Sequence, residues 1–104
     1  MSNALAIVAT REISGKSFTI YGDAKKPLFL AKDVAKWIEH SDVSMMLRSV
    51  DEDEKVTNIV CTLGGNQSAW FLTENGLYEV LMLSRKPVAK QFKREVKRIL
   101  HEIR

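Results

Sequence analysis

Cationic side chains crowd the last fifth of this 104-residue chain. Arg85, Lys86, Lys90, Lys93, Arg94, Lys97, Arg98 and Arg104 stand against only two acids, Glu95 and Glu102, which leaves +6 from Arg85 onward. The whole chain carries +3, so the residues before Arg85 sum to −3. The chemistry open to such a cluster is attraction for an anion, either nucleic-acid phosphate or an acidic protein surface. A charged helix face is most often merely solvated. Here segregation favours a contact surface, because few acids dilute the stripe. Lys32, Lys36 and Arg48, further upstream, are candidates to join it.

Catalysis finds no comparable constellation. His40 and His101 are far apart in sequence, and neither belongs to a metal-ligand pair such as two histidines four apart on a helix. Cys61, in an apolar strand with no helix start nearby, reads as a buried small hydrophobe rather than a nucleophile. No elbow motif surrounds any serine. Gly64-Gly65 lacks the following Lys-Ser/Thr of a phosphate-cradling loop. The acids at 51–54 lack the alternation and glycine of a calcium loop and read as a solvated turn. Glu74 and Glu79 are a carboxylate pair of a kind any domain offers. The expectation is therefore no enzyme, no metal and no cofactor.

The stretch 70–104 must position the cations. Trp70-Phe71-Leu72 ends a strand, and Thr73 is a good N-cap for the helix after it. Leu77, Val80, Leu81 and Leu83 recur there at helical spacing, with Tyr78, Met82 and Ser84 completing the turns. Pro87 ends that helix and suits the first turn of the next. In the last helix Val88, Phe92, Val96, Ile99 and Ile103 fall on one side. Lys86, Lys90, Lys93, Arg94, Lys97 and Arg104 gather on the other, with His101. Burying about five large apolar side chains is worth on the order of 10 kcal/mol before ordering costs. That face is expected to dock on a core and leave the cations in solvent.

Upstream, residues 6–14 and 17–21 read as strands around a Gly15-Lys16 turn, and Pro27 opens a third, Leu28-Phe29-Leu30. With no helix between them they form an antiparallel meander. Residues 31–40 form a short helix with Val34, Ala35 and Ile38 inward and Trp37 to one side. Ser41 or Asp42 caps the next, residues 43–49, which turns Val43, Met46, Leu47 and Val50 to the core. Two helices so joined fit a helix-turn-helix, whose second helix enters the major groove. Residue chemistry favours plain packing under a sheet instead. The second helix offers only Ser44, Arg48 and Ser49 as base readers, and Asp42 at its start repels phosphate. Residues 55–63 and 67–72 form a second hairpin about Gly64-Gly65-Asn66.

Composition bounds the class. The chain is long enough for one modest core, and 45% hydrophobic with 28% charged residues is ordinary for a soluble domain. No run approaches a membrane span or a signal peptide. Cys61 is the only cysteine, which excludes an internal disulfide and fits a reducing compartment. Met1-Ser2-Asn3-Ala4 reads as a vector-derived start and carries no weight. The fold class is α+β, with antiparallel hairpins packed against about four helices in a single domain over 1–104.

Four motifs in order carry a resemblance. They are Leu28-Phe29-Leu30-Ala31-Lys32-Asp33-Val34-Ala35 and Ser49-Val50-Asp51-Glu52-Asp53-Glu54-Lys55. After them come Phe71-Leu72-Thr73-Glu74-Asn75-Gly76-Leu77-Tyr78 and Leu83-Ser84-Arg85-Lys86-Pro87-Val88-Ala89-Lys90-Gln91-Phe92. Together they resemble the Bro-N domain of phage antirepressors and viral Bro proteins. One departure is that Lys93-Arg94-Glu95 stands where members often carry an aromatic, so any packing or stacking role of that aromatic is missing here. The resemblance implies the N-terminal module of a longer regulatory protein in a bacterial host's cytoplasm. Its implied partner is double-stranded DNA, or alternatively a phage repressor or a second copy, with no membrane. The expected DNA surface is Arg85, Lys86, Lys90, Lys93, Arg94 and Lys97, joined by Arg48, Lys32 and Lys36.

Overall fold

Alternating apolar residues build a sheet here, and short helical repeats close one face of it. The computed structural model describes residues 6–13 and 15–104, the side chains of Cys61 and Thr62 excepted. The readings for Met1-Ser2-Asn3-Ala4, for Ser14 and for the Cys61 side chain lie outside the described residues. Strands β1 (Ile7–Ile13), β2 (Lys16–Gly22) and β3 (Pro27–Leu30) form the meander. Helices α1 (Ala31–Trp37) and α2 (Val43–Arg48) follow, then a 3₁₀ turn (Glu52–Glu54). The hairpin of β4 (Lys55–Thr62) and β5 (Gly65–Thr73) leads into α3 (Glu74–Leu83) and α4 (Pro87–Ile103). The fold is α+β, as expected.

Meander and hairpin merge into one antiparallel sheet of order β1-β2-β3-β5-β4. The join is β3 on β5, with Leu28 opposite Thr73, Phe29 opposite Leu72 and Leu30 opposite Phe71. Residues opposite each other share a face. Phe18, Ile20, Phe29 and Leu72 therefore line the side that the helices cover, and all four are buried in the core. The hairpin turn sits one residue earlier than expected, at Leu63-Gly64, because Gly65 already pairs with Thr62.

Trp37 corrects an expectation. It is not to one side but 1% exposed at the centre of the core. Its ring stacks on Phe92 at 5.4 Å between centroids and meets Phe18 at 4.7 Å. A buried indole N–H needs an acceptor, and the Ser17 carbonyl provides it at 2.8 Å. Leu83 lies on the last turn of α3, as its spacing implies, but at 64% exposure it stays outside the core that Leu77, Val80 and Leu81 enter.

Helix ends are fixed as the sequence suggested. The Thr73 hydroxyl accepts the Gly76 N–H at 3.1 Å, Asp42 accepts the Met45 N–H at 3.1 Å, and Pro87 opens α4. The C-terminal ends use lysines from elsewhere. Lys16 donates to the Trp37 carbonyl at 3.2 Å and Lys55 to the Leu47 carbonyl at 2.8 Å. Both place positive charge where helix carbonyls lack partners.

Candidate nucleic-acid interface

At 3.6 residues per turn, a continuous apolar stripe on α4 fixes which side chains can face water. Ala89, Phe92, Val96, Ile99 and Leu100 are buried, with Val88 and Ile103 half-buried beside them. Ala89 and Leu100 were not among the expected core positions, yet they widen the stripe rather than turn it. Lys90, Arg94 and Lys97 are exposed, and Lys93 is half-buried at the stripe's margin.

What happens to the acids decides the character of that surface. Arg98 donates to Glu95 at 2.6 Å and to Glu102 at 2.8 Å. These are the two acids of α4, and both are taken by one arginine three and four residues away. The mutual ion pairs also raise the Arg98 pKa, the Glu95 hydrogen bond being the main cause. Among the described residues Lys90, Lys93, Arg94 and Lys97 form no ion pair with a carboxylate. From Lys90 to Lys97 the helix rises about 10 Å, a length over which duplex DNA presents about six charges.

At its C-terminal end the ridge rests on α3. The Lys97 ammonium lies 5.5 Å from the centre of the Tyr78 ring, within cation–π range. The Tyr78 hydroxyl donates to Glu74 at 2.9 Å, and Glu74 also takes Arg104 in an ion pair. Burial first, and then the Glu74 hydrogen bond and charge, push the Tyr78 pKa up, with Arg104 opposing. Glu74 and Glu79 take separate partners, and Glu79 accepts the Asp51 N–H at 3.5 Å. Arg104 is thereby neutralised and stands apart from Lys90, Lys93, Arg94 and Lys97.

At the other end the α3–α4 corner reaches the turn between α1 and α2. Lys86 is exposed, and its ammonium donates to the Glu39 carbonyl at 2.5 Å. Beside it opens a cleft of 410 Å³, with Met46 and Val80 buried beneath and Met45, Leu83, Arg85 and Lys86 exposed around it. Met45 and Leu83 are 57% and 64% exposed; the sequence reading names Leu83 only as a helical position and does not name Met45. Their only sequence signal is an apolar residue at the solvent side of a short helix.

The remaining candidates lie elsewhere. Lys32 and Lys36 are exposed on α1 and line a cleft with Val60, Gln67 and Trp70 of the hairpin, with no α4 cation among its walls. Arg48 is exposed at the end of α2. The Ser49 hydroxyl donates to the Met46 carbonyl at 2.6 Å, so its proton is committed within its own helix end. Asp42 caps the start of α2, where a groove-entering helix would read bases. The pair α1–α2 thus presents exposed cations, with an acid at the start of α2.

Among the described residues no helix is long and apolar enough to cross a membrane. No curated protein and no solved structure matches the chain. Residues 17–102, from β2 through nearly all of α4, match the family described as the BRO family, N-terminal domain. With the match spanning nearly the whole chain, this protein belongs to the BRO family through its N-terminal domain.

Proposed function

We propose that this domain is a DNA-binding regulatory module of a phage antirepressor, acting by binding rather than catalysis in a bacterial cytoplasm. Lys90, Lys93, Arg94 and Lys97 lie along one strand's phosphates, and Arg85 extends the contact past the helix start. The observation that carries this reading is the diversion of both α4 acids to Arg98, which leaves the neighbouring cations without carboxylate partners among the described residues. Such contacts give affinity and orientation, with little sequence preference.

Salt is the test. Electrophoretic shifts over a salt series are expected to give a log–log slope of about −0.9 per phosphate neutralised. Joint Lys90→Ala, Lys93→Ala and Arg94→Ala replacement flattens that slope by up to about 2.7 while leaving thermal unfolding in place. Lys97 is left unchanged because it also covers Tyr78. An unchanged slope in the triple variant removes DNA from this face.

The cleft beside Arg85 and Lys86 favours a second reading, contact with a repressor protein through Met45 and Leu83. Retention of a phage repressor at high salt, lost in Met45→Asp, with no duplex shift, selects this alternative.

A further inference from the structure

The hairpin arm differs from the rest of the molecule in one respect: residues 56–73 contain no charged side chain. Its outer strand, β4, is also an edge of the sheet. Exposed edges present unpaired N–H and C=O groups to other chains, and proteins blunt them with charges, bulges or covering elements. The opposite edge, β1, is blunted in this way. It carries exposed Arg11 and Glu12, and its register with β2 is broken between Ile7 and Ala9. β4 has a single charged residue, Lys55, and that ammonium is turned inward onto the Leu47 carbonyl.

The backbone shows which groups the edge offers. Thr62 opposite Gly65 closes the hairpin, and hydrogen-bonded pairs alternate from there. The even-numbered residues of β4 bond to β5, so the N–H groups of Thr57 and Ile59 point outward. The Ile59 N–H is met at 2.8 Å by the side chain of its own neighbour, Asn58. A side-chain oxygen occupies a position that a strand carbonyl would otherwise take. Alongside the edge, Thr57, Val56 and Leu63 are exposed, as is Trp70, at 46%.

We infer that β4 is the surface through which two copies of this chain pair, edge to edge and antiparallel. A two-fold interface brings each patch against itself, so a charged patch repels its own image and a neutral one does not. The basic ridge on α4 fails that requirement and β4 meets it. β4 is about 27 Å long at ~3.4 Å per residue. With Val56, Leu63 and Trp70 beside it, it forms a narrow strip, smaller than the about 800 Å² per partner of a standard interface. Association is accordingly reversible and concentration-dependent. In the dimer the Asn58 side chain yields the Ile59 N–H to the partner strand, and the two five-stranded sheets become one.

Sedimentation of the chain without DNA, at about 0.15 M salt so that a charge placed on the edge is still felt across it, is the experiment. A dimer forming with rising concentration is expected, weakened by about tenfold or more in Thr57→Lys, which charges the edge. The Lys90→Ala, Lys93→Ala, Arg94→Ala variant is expected to dimerise as the parent does. Thr57→Pro removes an outward donor while sparing the ladder to β5 and gives the same loss. In parallel, exchange of the Thr57 and Ile59 amides slows as concentration rises. A monomer up to about 1 mM, corresponding to binding weaker than ~4 kcal/mol, overturns the inference. So does a dimer indifferent to both Thr57 variants, or exchange at these two amides independent of concentration. The exchange result decides even if a variant fails to fold.

Discussion

Glu39 holds a backbone φ of 57° just past the end of α1. A residue with a Cβ costs on the order of 1 kcal/mol there, and glycine is the usual occupant. Glu39→Gly is expected to raise stability by about 0.5–1 kcal/mol in urea unfolding. The bond from Lys86 survives, since it is made to the Glu39 carbonyl. The 3.9 Å contact with Lys16 is lost at little cost, because surface pairs contribute little. The two tyrosines give a second expectation. Burial and then the charge of Asp33 raise the Tyr21 pKa, and burial and Glu74 raise that of Tyr78. Absorbance titration is expected to find no phenolate at the ordinary value near 10 while the fold lasts. The sign follows from linkage. The folded state resists losing these protons, so stability is complete below pH ~10 and is lost as pH rises above it. Neither residue's setting was legible beforehand, since a left-handed backbone without glycine leaves no mark in the sequence. The Glu74–Tyr78 bond, by contrast, spans a readable step of four.

Among the elements, α3 sits unusually close to the turn before β4. A Cβ on Gly76 would lie 2.3 Å from the Glu54 carbonyl oxygen, which is backbone and cannot swing aside. Gly76→Ala is therefore expected to cost about 1–3 kcal/mol through overpacking, although alanine is the better helix former. Thermal unfolding checks it, and an unchanged or raised midpoint contradicts the close approach. The Thr73 hydroxyl ties the same junction by reaching the Glu54 carboxylate. Helix α4 was legible because its two faces follow from local spacing over 17 residues. Even the neutralisation of Arg98 is written at steps of three and four, by Glu95 and Glu102. The union of β3 with β5 was not legible, because it joins strands some forty residues apart through ordinary apolar pairs.

For the molecule as a whole, charge is sorted by structural duty. Lys16 and Lys55 terminate helices, Lys86 latches the α3–α4 corner, and Arg98 and Arg104 are neutralised. Of the cations left over, Lys90, Lys93, Arg94 and Lys97 share one side of α4. Sequence could count these residues but could not single out the structural ones, since Lys16 and Lys86 reach carbonyls 21 and 47 residues away. Trp37, expected at the side of its helix, proved central for the same reason: its partners Phe18 and Phe92 come from distant strands and helices. The chain's two tryptophans thus live in opposite surroundings, one sealed and stacked, the other nearly half open on the arm. Its fluorescence is consequently two signals in one spectrum. A quencher added to solvent silences the arm indole first, while the sealed indole keeps reporting until the fold itself gives way.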